Sequence, residues 1–174
     1  MKNNKLSLKK LVIIAIIVAV KLCLSSVAIG PAYFKLGFAF LGSVALGYLV
    51  GPWWGAVGGF SSGLVHFIVF GDKANFLFAS LLSASLTPLI YGLFLYKYPL
   101  KFWRVVVAQL AVSVLINIGL TNFLYAWQNG LSIEVAFIQR LPKEMLLPWG
   151  QMLLSYLLLC YLVRIKSKVI NFNS

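Results

Sequence analysis

Between Lys35 and Asp72, and again between Arg104 and Glu134, the chain carries no charged residue. Apolar blocks of that length are the mark of membrane-spanning helices. A soluble domain of 174 residues needs charge on the faces it turns to water. Here charged residues make up only 10% and the apolar class 61%, against about 25% and roughly 45–50% in soluble proteins. With a mean hydropathy of +0.95, the expected fold class is all-α: an integral membrane bundle, since a helix satisfies its own backbone polar groups in lipid.

Six apolar segments can be drawn, at about 9–29, 36–51, 53–70, 76–96, 103–127 and 145–164. Gly30-Pro31, Gly51-Pro52, Gly71-Asp72 and Pro99 separate the first five, and Gly130 and Pro142 precede the sixth. The second and third fall short of the roughly 20 residues that cross hydrocarbon upright, so neighbours are expected to cover them. The first segment follows a basic stretch, as a secretory signal does, but no small-residue cleavage site closes it. It is therefore taken as a retained helix within a single domain, 1–174, with short basic tails at 1–9 and 165–174.

Fifteen Lys and Arg stand against three acids, Asp72, Glu134 and Glu144. The cations are scattered between apolar blocks rather than gathered in a soluble patch, which argues against nucleic acid. Six helices with both termini in the cytoplasm place ten cations inside: Lys2, Lys5, Lys9, Lys10, Lys97, Lys101, Arg104, Arg164, Lys166 and Lys168. Four lie outside, Lys35, Lys73, Arg140 and Lys143, and Lys21 sits within a span. This asymmetry obeys the positive-inside rule.

The chemistry that is missing narrows the function. No GxxxxGK[ST] loop is present to cradle ATP. The three acids map to loops or helix ends, so no intramembrane carboxylate is placed to relay protons or sodium. Without GxSxG or HExxH, and with His66 as the lone histidine, an enzyme is not expected. No metal or other cofactor is implied. Cys23 and Cys160 lack any CxxC or Cys/His spacing and read as buried thiols. Energy for uphill transport would have to come from partner subunits.

Lys21 is the sharpest polar feature, because an ammonium inside an apolar span costs about 2.5–3.5 kcal/mol on insertion scales. It either snorkels to the outer interface or offers a cation to the bundle interior. At about 100° per residue, Lys21 points roughly 140° away from the shared direction of Ala15 and Ala19. One face of the helix can therefore pack on a partner while the other faces inward. At the expected entrance to the sixth helix, Gln139-Arg140-Leu141-Pro142-Lys143 adds two cations, either interfacial anchors or groups that receive a carboxylate. Phe76, Tyr125 and Trp127 are candidates for stacking on a flat ring. Asn122, with Asn117, Ser80 and Ser83, brings hydrogen-bonding groups into the spans. Glycines at 47, 51, 55, 59 and 63 recur every four residues, the spacing that lets helix backbones approach closely. Trp53 and Trp54 fall at a turn, where indoles rest at the interface.

These residues resemble a known family. Ala15-Ile-Ile-Val-Ala19 is similar to the AxxxA motif by which the small substrate-binding (S) subunits of energy-coupling factor (ECF) vitamin transporters dock on their transmembrane T partner. Lys35-Leu-Gly-Phe-Ala-Phe and Gly47-Tyr-Leu-Val-Gly-Pro-Trp-Trp-Gly-Ala-Val-Gly-Gly-Phe resemble the second and third helices of those subunits. Leu89-Ile-Tyr-Gly-Leu-Phe-Leu-Tyr96 and Arg140-Leu-Pro-Lys-Glu-Met-Leu-Leu-Pro148 resemble the folate type. Two places depart from the pattern. Many relatives carry an aspartate near the position of Ser62, and a Gly-Phe-Thr-Leu-like start to the fourth helix where this chain reads Phe76-Leu-Phe-Ala-Ser80.

The resemblance implies a multi-pass bacterial plasma-membrane bundle that binds folate from outside and releases it inward with a T subunit and two ATPase subunits. On that reading Lys21, Arg140 and Lys143 receive the glutamate carboxylates, Phe76, Tyr125 or Trp127 stack on the rings, and Asn122 meets the pterin edge. Ala15 and Ala19 contact the T subunit. Another vitamin (pantothenate, riboflavin or a pyridoxine-like compound) and a membrane scaffold without a ligand remain open at this point.

Overall fold

The computed structural model describes residues 8–26, 28–29, 36–70, 74–130 and 132–169. For some of these, among them Phe76, Tyr125, Arg140 and Lys143, it describes the backbone alone. The helices are α1 (Leu8–Ser26), α2 (Ala39–Val50), α3 (Pro52–Phe70), α4 (Ala74–Leu95), α5 (Phe102–Val112), α6 (Asn122–Asn129) and α7 (Ile133–Val169). A π-helical stretch, Ser113–Thr121, joins α5 to α6 without a break, so the described helices form six continuous rods. Of these, Phe102–Leu124 is long and apolar enough by itself to cross a membrane.

The molecule is inside-out relative to a soluble protein. Large apolar side chains such as Leu11, Ile16, Phe60, Ile68, Leu115, Leu153 and Leu157 are exposed, while Lys21, Ser43, Ser62, Gln109, Ser113, Asn122 and Ser155 are buried. Such an arrangement is stable only when the outside is hydrocarbon, which defines an all-α membrane bundle. Its apolar core joins α2, α4, the α5 rod and α7 through Val44, Tyr48, Tyr91, Leu95, Val105, Ile116 and Leu159. The short α2 is central, with Gly42–Tyr48 buried along its length. Its neighbours cover it, as its length requires.

The glycine repeat is a packing device. A Cβ on Gly47 would stand 2.6 Å from the Pro88 carbonyl oxygen, and one on Gly92 would stand 2.6 Å from the backbone of Pro52. The closest approach is at Gly59, where a Cβ would meet the Ala84 carbonyl oxygen at 2.1 Å. Pro88, inside α4, has no N–H to give the carbonyl four residues before it, which is that of Ala84. The oxygen left over turns toward the Gly59 backbone, where a Cα–H contact is the available substitute. At the α2–α3 turn Gly51 takes φ 99°, a conformation glycine adopts without a steric penalty.

Four boundaries differ from those expected. Ala28–Ile29 and Leu36–Gly37 pair as a two-residue antiparallel ladder, so α1 ends at Ser26 and α2 starts at Ala39. The last helix begins at Ile133, not near 145, and its backbone runs through Pro142 and the first part of the expected tail, to Val169. In lipid, losing one hydrogen bond at a proline costs less than opening a whole turn. Gly130, with φ 62° as a left-handed cap, is the true break. Cys23 and Cys160 are exposed rather than buried; in lipid an outward thiol is as well solvated as an inward one. Lys35, Asp72 and Lys73 lie outside the described residues.

Because Gly59 meets carbonyl backbone that cannot yield, Gly59→Ala should lower stability by about 1–3 kcal/mol, the usual range for overpacking. Gly150 within α7 has open space around it, and Gly150→Ala should keep stability or raise it by up to about 1 kcal/mol. Thermal unfolding of both variants in detergent compares them directly.

Candidate functional site

Lys21 sits five residues before the end of α1 and is 9% exposed. It does not snorkel. Its position is set by Gly42 on α2, where a Cβ would stand 2.6 Å from that of Lys21, so the first two helices touch at this level. The ammonium crosses to α3 and donates to Ser62 Oγ at 2.9 Å. The Ser62 hydroxyl spends its own proton on the Gly59 carbonyl, at 2.7 Å, and so can only accept from Lys21. That leaves two ammonium protons, and no carboxylate among the described side chains lies within ion-pair distance of them. A buried charge held by one hydroxyl carries a desolvation cost of several kcal/mol that a neutral partner does not repay. The arrangement suits an incoming anion.

A second polar group lies deeper in the bundle. Tyr91 OH on α4 donates to Gln109 Oε1 on α5, and Gln109 Nε2 donates to Gln151 Oε1 on α7 at 2.7 Å. Three rods are tied in one directed chain, with Tyr91 and Gln109 almost wholly buried. Between this chain and the far end of the bundle, the π-helical stretch ends where Thr121 Oγ1 lies 3.4 Å from Ser83 Oγ on α4. Asn122 follows at once and is buried. A π segment shifts the side-chain register of a helix and recurs at functional sites; here it precedes the one candidate amide that the structure buries.

The remaining candidates converge only in part. Phe76 begins α4, Tyr125 lies in α6, and Arg140 and Lys143 fall within α7 rather than in a loop before it. The backbone places all four toward the end of the bundle that Lys21 approaches. Arg140 and Lys143, three residues apart on a helix, share a face. Trp127 is 76% exposed and takes no part in the buried cluster. Ala15 and Ala19 are both exposed on α1, on the side away from Lys21, and extend a face with Leu11, Val12, Ile16 and Val20. His66, one turn beyond Ser62, is half-buried and engaged. Ser62 as the partner of Lys21, and the pair Gln109 and Gln151, were not singled out as contacts from sequence. Each glutamine stands alone in an apolar run, which is the signal that could have marked it.

An inside-out helical bundle with a buried cation that has no anionic partner among the described side chains defines a membrane bundle in which an intramembrane ionisable group marks a candidate site. Comparison with known proteins is more specific. The chain matches no family model. It is 29% identical over 110 residues to the folate transporter FolT of Clostridium novyi (strain NT), a match spanning 63% of this chain and 63% of that protein. It also superposes on the crystal structure of a FolT bound with folic acid, with a TM-score of 0.72 and 27% identity over 86% of this chain and 92% of that one. In sequence and backbone the chain is similar to FolT proteins, one of them named as a folate transporter and one seen with folic acid bound.

Removing two buried polar side chains should have opposite effects. Gln109→Leu removes the acceptor of the Tyr91 hydroxyl and the donor to Gln151 Oε1, and should cost about 1–3 kcal/mol. Lys21→Met relieves an uncompensated charge and leaves Ser62 bonded to Gly59, so the ligand-free variant should melt at or above the wild-type temperature. Parallel thermal melts without ligand read both signs.

Proposed function

We propose that the chain is the folate-binding S subunit of an ECF importer, a bundle that crosses the bacterial plasma membrane six times with both termini cytoplasmic. The observation that carries this reading is the Lys21 ammonium, buried in a FolT-like fold beside the Ser62 hydroxyl and with no carboxylate near it among the described side chains. Folate carries two carboxylates on its glutamate end, and a charge-assisted hydrogen bond from Lys21 would give one of them the partner the site lacks. Arg140 and Lys143 stand toward the same end, where the second carboxylate would enter. Asn122, buried beside the π segment, is the candidate for the pterin edge, and Phe76 and Tyr125 are those for the rings. The excess of cations at one end of the bundle supports the orientation.

The same reading assigns the motor to partners. The sequence holds no phosphate-cradling loop, and Glu134, the one acid whose side chain is described, is exposed, so release against a gradient would depend on a T subunit and two ATPase subunits. Ala15 and Ala19 supply a small-residue face, turned outward, of the kind that lets another helix approach closely.

Calorimetric titration with folate tests the binding claim. The wild-type protein should bind, and Lys21→Met should weaken affinity by about 10- to 150-fold, the equivalent of a lost hydrogen bond to a charged group. Unchanged affinity in the variant would remove Lys21 from the site, and no binding by the wild type would remove folate. Ala15→Trp with Ala19→Trp should leave folate binding intact while abolishing uptake in cells that supply the partner subunits.

A further inference from the structure

The turn between α4 and α5 is built of cations resting on aromatic rings. Leaving α4 at Leu95, the chain passes through Tyr96–Lys101 and enters α5 at Phe102. Lys97, in a left-handed backbone conformation with φ 64°, holds its ammonium 5.2 Å from the centroid of the Tyr96 ring. Arg104, in the first turn of α5, lays its guanidinium carbon 4.4 Å from the centroid of Tyr98. Lys101 is exposed between them. The platform is anchored on both sides. Tyr96 lies over Gly51, so that a Cβ there would meet its ring at 3.1 Å, and Phe102 packs edge-on against Tyr156 of α7, with ring centroids 5.2 Å apart.

Stacking on a ring engages the face of a cation and leaves its N–H donors free at the edge. Arg104 is thereby fixed in orientation with its hydrogen-bonding edge uncommitted. No acidic group answers it among the described side chains: the one acid so described, Glu134, stands in the first turn of α7, at the opposite end of the bundle. Trp53 and Trp103 are exposed at this end, Trp103 at 73%. Indoles exposed in this way on a lipid-embedded protein occupy the headgroup layer. Three cations within eight residues, at that depth and without counter-charge, face the phosphate of the bilayer.

We propose that the Tyr96–Arg104 turn is a docking site for anionic phospholipid headgroups, in which Arg104 offers the guanidinium edge to a phosphodiester and Lys97 and Lys101 flank it. The site is independent of the vitamin reading and stands or falls without it. Its chemistry is shared by an acidic segment of a partner protein, but the flanking indoles favour lipid, since they continue the surface into hydrocarbon rather than into water.

The test uses the full chain reconstituted in vesicles containing phosphatidylcholine and phosphatidylglycerol, one or the other brominated, with tryptophan quenching as the readout. Brominated phosphatidylglycerol should compete for the surface about fivefold better than brominated phosphatidylcholine. In the triple variant Lys97→Gln, Lys101→Gln, Arg104→Gln the ratio should fall toward one, and 0.5 M salt should lower the wild-type ratio by screening, as expected of an exposed site. Arg104→Gln alone, a half-buried residue at the bundle's edge, should lower it in part and guards against misfolding of the triple variant. A wild-type ratio near one, or a ratio that none of these changes alters, overturns the proposal. So does a wild-type ratio near one combined with binding of a soluble polyglutamate peptide that the triple variant loses, which would assign the turn to an acidic protein segment.

Discussion

The contact on which the rest of the bundle depends is the backbone approach of α2, α3 and α4. Lipid gives helices no hydrophobic reason to associate, so attraction must come from van der Waals contact and hydrogen bonds at close range. Gly47, Gly59 and Gly92 allow that closeness: at each, a single methyl group would collide with backbone of the neighbouring helix. Pro88 completes the arrangement, since the carbonyl it leaves without a helical donor faces Gly59. The three helices then form a unit against which α1 and the α5 rod can place polar side chains without opening the structure.

That placement accounts for the character of the interior. In a soluble protein the polar groups of α1 and α5 would turn to water. Here the alternative is hydrocarbon, so Lys21 turns to Ser62 and Gln109 bridges Tyr91 and Gln151. The two groups differ in completeness. The glutamine chain has partners at both ends and serves cohesion between three rods. Lys21 has one neutral partner among the described side chains and a surplus of donors, a state that costs stability while no anion is bound. An unpaired charge of this kind is a reason to infer a ligand; a satisfied chain is not.

Much of the fold was legible because in lipid the charges fall at helix ends. Five of the six segments begin and end within a few residues of Lys, Pro or Gly punctuation. The start of α7 was misread because Glu134, Arg140 and Pro142 look like loop residues, whereas lipid makes leaving the helix more costly than keeping a proline in it. The π segment, Ser113–Thr121, carries no residue-type marker that sets it apart from the α-helix on either side. Within the site, the inward direction of Lys21 follows from helical geometry relative to Ala15 and Ala19. Its partner does not, because which residue of α3 meets α1 depends on how closely Gly42 lets the helices approach. For Phe76, Tyr125, Arg140 and Lys143 the structure describes the backbone alone, and the extension of α7 moves Arg140 and Lys143 from an expected loop onto a helix.

The placement of Lys21 also bears on how binding and docking could be coupled. Within the proposed function, α1 carries the cation that meets the vitamin and, on its other side, the small-residue face that meets the T subunit. On that reading an anion that neutralises Lys21 acts on the same helix that the T subunit would contact. If vitamin binding changes the affinity for the partner, linkage requires that a partner packing on Ala15 and Ala19 change the affinity for the vitamin by the same factor. A partner that draws Lys21 away from Ser62 would weaken folate binding, which is the sense an importer needs at the moment of release.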